Sequence, residues 1–343
     1  MLFDKVKKEV KKVKIVFFEI NKWEEDFFKE RLKGHKLEFF KGKLNLKNAS
    51  KVKGVQGVVS FIKSDLSERV LSKLKKLKFI STMSTGFDHI DLKYCRKARI
   101  RVSNVPHYGE HTVAEHAFAL ILALARKLDK AINRTRKDDF SLKGLMGFDL
   151  KGKTLGVIGV GNIGQHVVKI GHGFEMKVLG YGRNRDKKLS KKLGFKWVSL
   201  NSLLKKSDIV TIHVPLNKGT KHLINLKNAK YFKKGSYLIN TSRGEVVDNG
   251  ALLYGLKRGL LAGAGLDVLE GECEIREERE LMHGKVICDW ETLIENHLLL
   301  KDKNVIVTPH SAFYTREALE RILEVSVKNI SGFENGRVRN KVV

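Results

Sequence analysis

The chain has 343 residues, with 67 Lys and Arg against 38 Asp and Glu, a formal net charge of +29. With 42% hydrophobic and 31% charged residues it has the composition of a folded globular protein, and its length predicts two domains with cores that need no staples. The charged start from Met1 to Lys14 argues against a signal peptide, and the longest apolar run, residues 113–125, is too short to span a bilayer. In chain order, strand-like runs fall at 14–20, 36–40, 54–61, 79–84 and 100–105, with helical patterns at 23–32 and 68–77. Residues 112–128 then read as one long helix, apolar nearly all round. A second set of strands follows at 154–160, 177–181, 209–214, 236–241 and 263–268, with 305–308 after a long connection and a helix at 315–333. Strands alternating with helices predict βα units and parallel sheets.

The excess positive charge is spread along the chain and is mostly Lys; its densest stretch is 5–14. That pattern predicts a solvated basic surface whose field favours anionic ligands, and argues against nucleic acid as a dedicated partner. The three cysteines, Cys95, Cys273 and Cys288, form no C-x-x-C pair, and their odd number argues against a disulfide framework and for a reduced cytoplasm. The only prolines, Pro106, Pro215 and Pro309, each stand just past a predicted strand, where an open α/β sheet has its ligand crevice.

Gly159-Val160-Gly161-Asn162-Ile163-Gly164 lies between the strand at 154–160 and a helix running to about Gly171, the context a dinucleotide fingerprint requires. Gly159 allows the tight turn, Gly161 lets the backbone approach a pyrophosphate, and Gly164 permits close helix–strand packing; the helix start then offers N–H groups to the anion. An acid at the end of the next strand would accept from a ribose 2′-hydroxyl, but the chain there reads Tyr181-Gly182-Arg183-Asn184-Arg185. An arginine pairs with a 2′-phosphate, so the sequence leans towards NADP or dual use rather than strict NAD.

Three further motifs stand out: Asn240-Thr241-Ser242-Arg243-Gly244, Gly265-Leu266-Asp267-Val268-Leu269-Glu270-Gly271-Glu272, and Thr308-Pro309-His310-Ser311-Ala312-Phe313-Tyr314. With the fingerprint, they resemble the D-isomer-specific 2-hydroxyacid dehydrogenase family, nearest its D-lactate dehydrogenase branch, over about residues 14–333. The resemblance implies that Arg243 binds the substrate carboxylate and polarises the keto oxygen. His310 becomes the acid–base group and Glu272 its carboxylate partner, with Glu270 the competing choice. Thr85-Gly86 becomes the turn holding the substrate carboxylate and Tyr108 a group of the cleft. Asp267, Thr241, Ser242 and the segment His213-Val214-Pro215 fall beside the cofactor. A guanidinium suits a carboxylate geometrically, and a histidine titrating near neutrality suits proton exchange with the reacting oxygen. Cys273 stands where the family often has proline.

The expected fold class is α/β, two doubly wound parallel-sheet domains. A Rossmann dinucleotide-binding domain, 108–310, is inserted into a flavodoxin-like substrate domain, 1–107 completed by 311–343, with Thr85-Gly86 meeting Arg243 and His310 across the cleft. The resemblance also implies a homodimer built partly on helix 113–125, and no metal. The leading function is reduction of a pyruvate-like 2-keto acid. Glyoxylate or hydroxypyruvate reduction, 3-phosphoglycerate oxidation, and a dinucleotide-sensing co-repressor are the alternatives.

Overall fold

The computed structural model describes residues 13–271 and 290–343, so the basic stretch 5–12, Glu272, Cys273 and Cys288 lie outside the described residues. The chain forms two compact units: one runs to Tyr108 and resumes at Thr315–Val343, the other is Gly109–Tyr314.

The first unit holds five parallel strands, β1 (Lys14–Phe18), β2 (Lys36–Phe40), β3 (Gly57–Ser60), β4 (Phe79–Thr82) and β5 (Arg101–Ser103), in the order β2-β1-β3-β4-β5. β1, Lys-Ile-Val-Phe-Phe, has four of its five residues fully buried, as expected of a strand covered on both faces. The helix Arg316–Glu334 begins where the Thr315 hydroxyl accepts the Ala318 N–H. Near its end Phe333 stacks on Phe79 of β4 at 4.7 Å. The chain's last residues pair along the edge of β5, Val102 accepting from Val342 (2.8 Å) and donating to Val343 (3.1 Å).

The second unit holds seven parallel strands, β6 (Thr154–Ile158), β7 (Lys177–Tyr181), β8 (Lys196–Trp197), β9 (Ile209–Ile212), β10 (Ser236–Asn240), β11 (Leu261–Leu266) and β12 (Val305–Val307), ordered β12-β11-β10-β9-β6-β7-β8. Two separate apolar cores cover its faces, because successive strand residues point opposite ways. Leu155, Val157 and Ile209 join the layer containing helices Glu110–Ala125 and Asn162–Gly173. Ile158, Val210 and Ile212 join the layer containing Asn249–Lys257 and Trp290–Lys301. The chain runs outward from β6 through β7 to β8, then returns to β9 on the other side of β6. That reversal makes the carboxyl ends of β6 and β9 the switch point where such sheets bind ligands.

The long helix expected at 112–128 is instead two. Helix Glu110–Ala125 stops because the Phe148 N–H takes the Ala125 carbonyl (3.0 Å), and Lys127 turns left-handed (φ 51°) before helix Leu128–Thr135. The helical pattern at 68–77 shortens to Glu68–Leu71 followed by turns. Strand β8 and helix Trp290–Lys301 had no counterpart in the sequence reading. Among the described residues no helix is long and apolar enough to cross a membrane, and no cluster of His, Cys, Asp or Glu is placed to hold a metal ion.

Candidate active site

The glycines of the fingerprint differ in what surrounds them. Gly159 has φ +94°, and a Cβ there would lie 2.7 Å from Val214 Cγ1 and 2.8 Å from the His213 carbonyl oxygen. A Cβ on Gly164 would lie 2.1 Å from the Gly159 carbonyl oxygen, so helix Asn162–Gly173 can seat on the turn only without a side chain. Gly161 has nothing within 4 Å of its Cβ position and a negative φ of −83°. Neither packing nor backbone geometry demands glycine there; an approaching ligand would. Asn162 and Ile163 open the helix. At the end of β7, Gly182 lies beside the Trp197 ring, 3.4 Å from its Cβ position, and Arg183, Asn184 and Arg185 are exposed.

Across the switch point, His213 is buried at the end of β9, its Nε2 2.8 Å from the Thr211 hydroxyl. Burial pushes its pKa down to about 3, so the ring is neutral. Its Nδ1, and the buried hydroxyl of Thr241 at the end of the adjacent β10, have no hydrogen-bond partner among the described residues. Buried polar atoms are rarely left so. Two such atoms on neighbouring strand ends, beside a turn with room over Gly161, fit a dinucleotide bearing polar groups.

Arg243 follows β10 in a loop shaped by Asn240. The Asn240 Oδ1 accepts from the Ser242 N–H (3.0 Å) and hydroxyl (2.9 Å), and its Nδ2 donates to the Arg243 carbonyl (2.9 Å). Gly244 is forced by proximity: a Cβ would lie 2.0 Å from the Leu269 carbonyl carbon. Past β11, the buried Asp267 donates its N–H to the Asn240 carbonyl (2.9 Å). Its carboxylate accepts from the Thr308 hydroxyl (2.5 Å) and the Ser311 (2.9 Å) and Ala312 (2.8 Å) N–H groups, while its own carbonyl takes the His310 N–H (2.9 Å). His116, from helix Glu110–Ala125, adds a ring nitrogen 3.1 Å from the Thr308 hydroxyl and 3.5 Å from the Asp267 carboxylate. His310 sits half-buried in this bracket with φ +53°. Arg243, Asp267 and His310 thus stand at the ends of three adjacent strands, β10, β11 and β12.

The model of the D-isomer specific 2-hydroxyacid dehydrogenase NAD-binding domain matches residues 118–312, more than half of the chain. The chain belongs to the D-isomer-specific 2-hydroxyacid dehydrogenase family. It is 36% identical to D-lactate dehydrogenase of Escherichia coli (88% of this chain, 91% of that one) and 37% identical to glyoxylate reductase of Thermococcus litoralis (85% of each). D-lactate dehydrogenase from Aquifex aeolicus, solved with NAD and lactic acid, superposes with a TM-score of 0.84 at 40% identity, over 94% of this chain and 96% of that one. The protein is therefore a nicotinamide-dependent oxidoreductase of 2-hydroxy acids, in the D-lactate dehydrogenase branch.

Of the remaining predicted residues of this dehydrogenase, Thr85, Gly86 and Tyr108 belong to the other unit. Their turn is pinned by the Ser84 hydroxyl donating to the Gly86 carbonyl (2.6 Å), the Thr85 hydroxyl to the Val105 carbonyl (3.0 Å) and Asn104 Nδ2 to the Thr85 carbonyl (2.8 Å). Tyr108 is buried, and its carbonyl accepts from Arg321 Nε (2.7 Å). Glu272 lies outside the described residues. Glu270, the alternative glutamate, is paired with a different histidine, 2.7 Å from His222 Nε2. Sequence reasoning missed Asn240, Thr308 and His116 as supports of the site. Asn240 and Thr308 stood inside the motifs, but nothing local pointed to His116, 192 positions from Thr308.

Proposed function

We propose that the enzyme reduces a small, pyruvate-like 2-keto acid to the D-2-hydroxy acid, and that NADPH serves at least as well as NADH. The observation that carries the reaction is the hydrogen-bonded bracket linking the Arg243 loop to the His310 turn through Asn240 and Asp267. Arg243 clamps the substrate carboxylate with its planar fork and polarises the keto oxygen. His310 gives that oxygen a proton and takes it back in the reverse direction. Glu272 is its proposed partner, a choice supported by the engagement of Glu270 with His222. Thr85, Gly86 and Tyr108 are proposed to hold the rest of the substrate. The nicotinamide supplies the hydride. The fingerprint turn Gly159, Gly161, Asn162, Ile163 and Gly164, with His213, Val214, Pro215, Thr241 and Ser242, holds and orients it.

The apolar Phe313, three residues after His310 in sequence, favours a methyl-bearing keto acid. The relative named glyoxylate reductase supports glyoxylate as the second reading. Gly182 leaves no carboxylate to repel a 2′-phosphate, and Arg183 and Arg185 stand exposed beside it. A panel of 2-keto acids run with both cofactors tests the whole reading. The expected result is pyruvate or glyoxylate as best substrate and an NADPH kcat/KM equal to or above that of NADH. Gly182→Asp should swing the ratio to NADH by about tenfold or more. A native preference for NADH of that size would refute the cofactor assignment.

A homodimer is part of the proposal. The helix Glu110–Ala125 buries its apolar side chains in its own unit, whereas Phe140, Leu142 and Met146 are 77%, 82% and 86% exposed. Light scattering should return a dimer that Phe140→Ser weakens.

A further inference from the structure

The first unit carries a concave site at the end of the sheet opposite the Thr85-Gly86 turn. It is a pocket of about 490 Å³ lined by Lys75, Lys76, Lys78, Arg99, Arg101 and Phe333 along with Leu77 and Ala98. Lys78 immediately precedes β4 and Arg101 begins β5, so the pocket opens at the amino ends of these strands.

Two short sequences build it. In Lys73-Leu74-Lys75-Lys76-Leu77-Lys78, Leu74 and Leu77 are buried, and in Arg96-Lys97-Ala98-Arg99-Ile100-Arg101, Ile100 is buried. These apolar anchors leave the intervening cations exposed around the pocket. None of the lining residues is acidic, and no carboxylate of the described residues lies within ion-pair distance of the five cations. Glu334, next to Phe333 in sequence, is turned instead to His35, 3.2 Å from its Nε2. Five like charges gathered around one concavity repel each other, and an anion relieves that repulsion.

Arg99 enters the pocket from a left-handed turn. It follows the cap of helix Leu92–Lys97, where the Ile100 N–H reaches the Cys95 carbonyl (2.8 Å) and the Arg99 N–H the Arg96 carbonyl (3.2 Å). This is the Schellman arrangement, and its left-handed position is normally glycine. Here it is arginine, at φ 57°. Glu175 holds the same left-handed position after helix Asn162–Gly173, at φ 56°, so the turn fixes where the Arg99 side chain starts and the cations around the pocket carry the assignment. Phe333, held on Phe79 and with the Arg101 guanidinium 5.9 Å from its ring, adds an aromatic wall.

We propose that this pocket binds a small anion carrying several phosphates, a nucleoside triphosphate or a short inorganic polyphosphate. The volume is that of a small-molecule site, which favours such an anion over a nucleic acid strand. The assignment does not depend on the substrate or cofactor preference proposed above.

Titration calorimetry tests it on the full chain saturated with NADH, so that the dinucleotide site is filled, using ATP and tripolyphosphate as ligands. Both should bind, competing for a single site. Lys75→Glu and Arg99→Glu should each weaken binding by about tenfold, with kcat/KM for keto-acid reduction unchanged. Tighter binding of ATP than of tripolyphosphate would identify a nucleotide, and equal affinity a bare phosphate chain. Arg99→Gly separates function from folding: it should raise the thermal midpoint yet weaken the ligand as Arg99→Glu does. Absence of binding, affinities untouched by these substitutions, or binding of a single-stranded oligonucleotide while ATP and tripolyphosphate fail, would overturn the proposal.

Discussion

The glycine turn after β6 and the histidine turn after β12 lie in the same sheet and both require a residue at positive φ, Gly159 at +94° and His310 at +53°. The first is built by leaving side chains out. Gly159 and Gly164 let strand, turn and helix close on one another, and Gly161 leaves open space above the helix start. The second must keep a bulky ring in a conformation that L-residues disfavour. It does so with a buried carboxylate, Asp267, that collects a hydroxyl and two N–H groups from the turn. A binding surface made of backbone is specified by omission, whereas a reacting side chain needs surrounding groups to hold it.

Substitutions can separate the two turns. The largest effect should come from His310→Ala, with turnover lowered by about two to four powers of ten and cofactor affinity unchanged. Asp267→Asn should lower kcat by about one to two powers of ten, since an amide presents a donor where one of the N–H groups now finds an acceptor. Steady-state kinetics with direct cofactor titration distinguishes these. If Asp267→Asn keeps full turnover, the bracket does not position His310.

The next effect divides the glycines. Gly159→Ala meets Val214 and the His213 carbonyl at under 3 Å and should cost about 2–4 kcal/mol of stability. Gly161→Ala meets nothing within 4 Å, so it should fold as well as the native chain and lose cofactor affinity alone. Thermal unfolding of the ligand-free proteins, paired with cofactor titration, reads both. Equal destabilisation by the two changes would remove the distinction.

The smallest effect concerns a second histidine at a strand end. His213, buried and neutral, has its folded pKa depressed to about 3 from an ordinary value of 6.5. Below that ordinary value the unfolded chain takes up a proton that the folded chain refuses, so stability falls as pH drops from 6.5 towards 3. Between about pH 7 and about pH 5 the loss should be about 2 kcal/mol. His213→Asn should flatten that acid limb in denaturant titrations. An unchanged limb would mean that other groups dominate it.

The regular frame of the molecule was plain in the sequence because most of its parallel strands are short, buried apolar runs, as in β1 and β9; β2 and β7, more exposed, still keep the bounds the pattern places. Several strands end one or two residues earlier than the apolar run. Val160, Val214 and Val268 continue the pattern but belong to the loops of the ligand crevice. The two-residue β8 is too short to carry a period, and the break at Lys127 depends on a carbonyl captured by Phe148, well downstream. The site shows the same division. Fingerprint and motifs marked Arg243, Asp267 and His310, each within three residues of a strand end. His116 sits mid-helix in an apolar run, and only the fold brings it to Thr308 and Asp267.

The division of the first unit into two stretches of chain has a consequence for how the protein is made. Phe79 stacks on Phe333, so part of this core is closed by residues synthesised after the whole of Gly109–Tyr314. Contacts so distant in sequence are slow to form because of the loop that must be closed. The inserted unit is continuous and can complete its sheet as soon as it leaves the ribosome. The surrounding unit must wait with β1 to β5 made but lacking the helix Arg316–Glu334. During that interval the apolar surface around Phe79 lacks its cover and is open to chaperones.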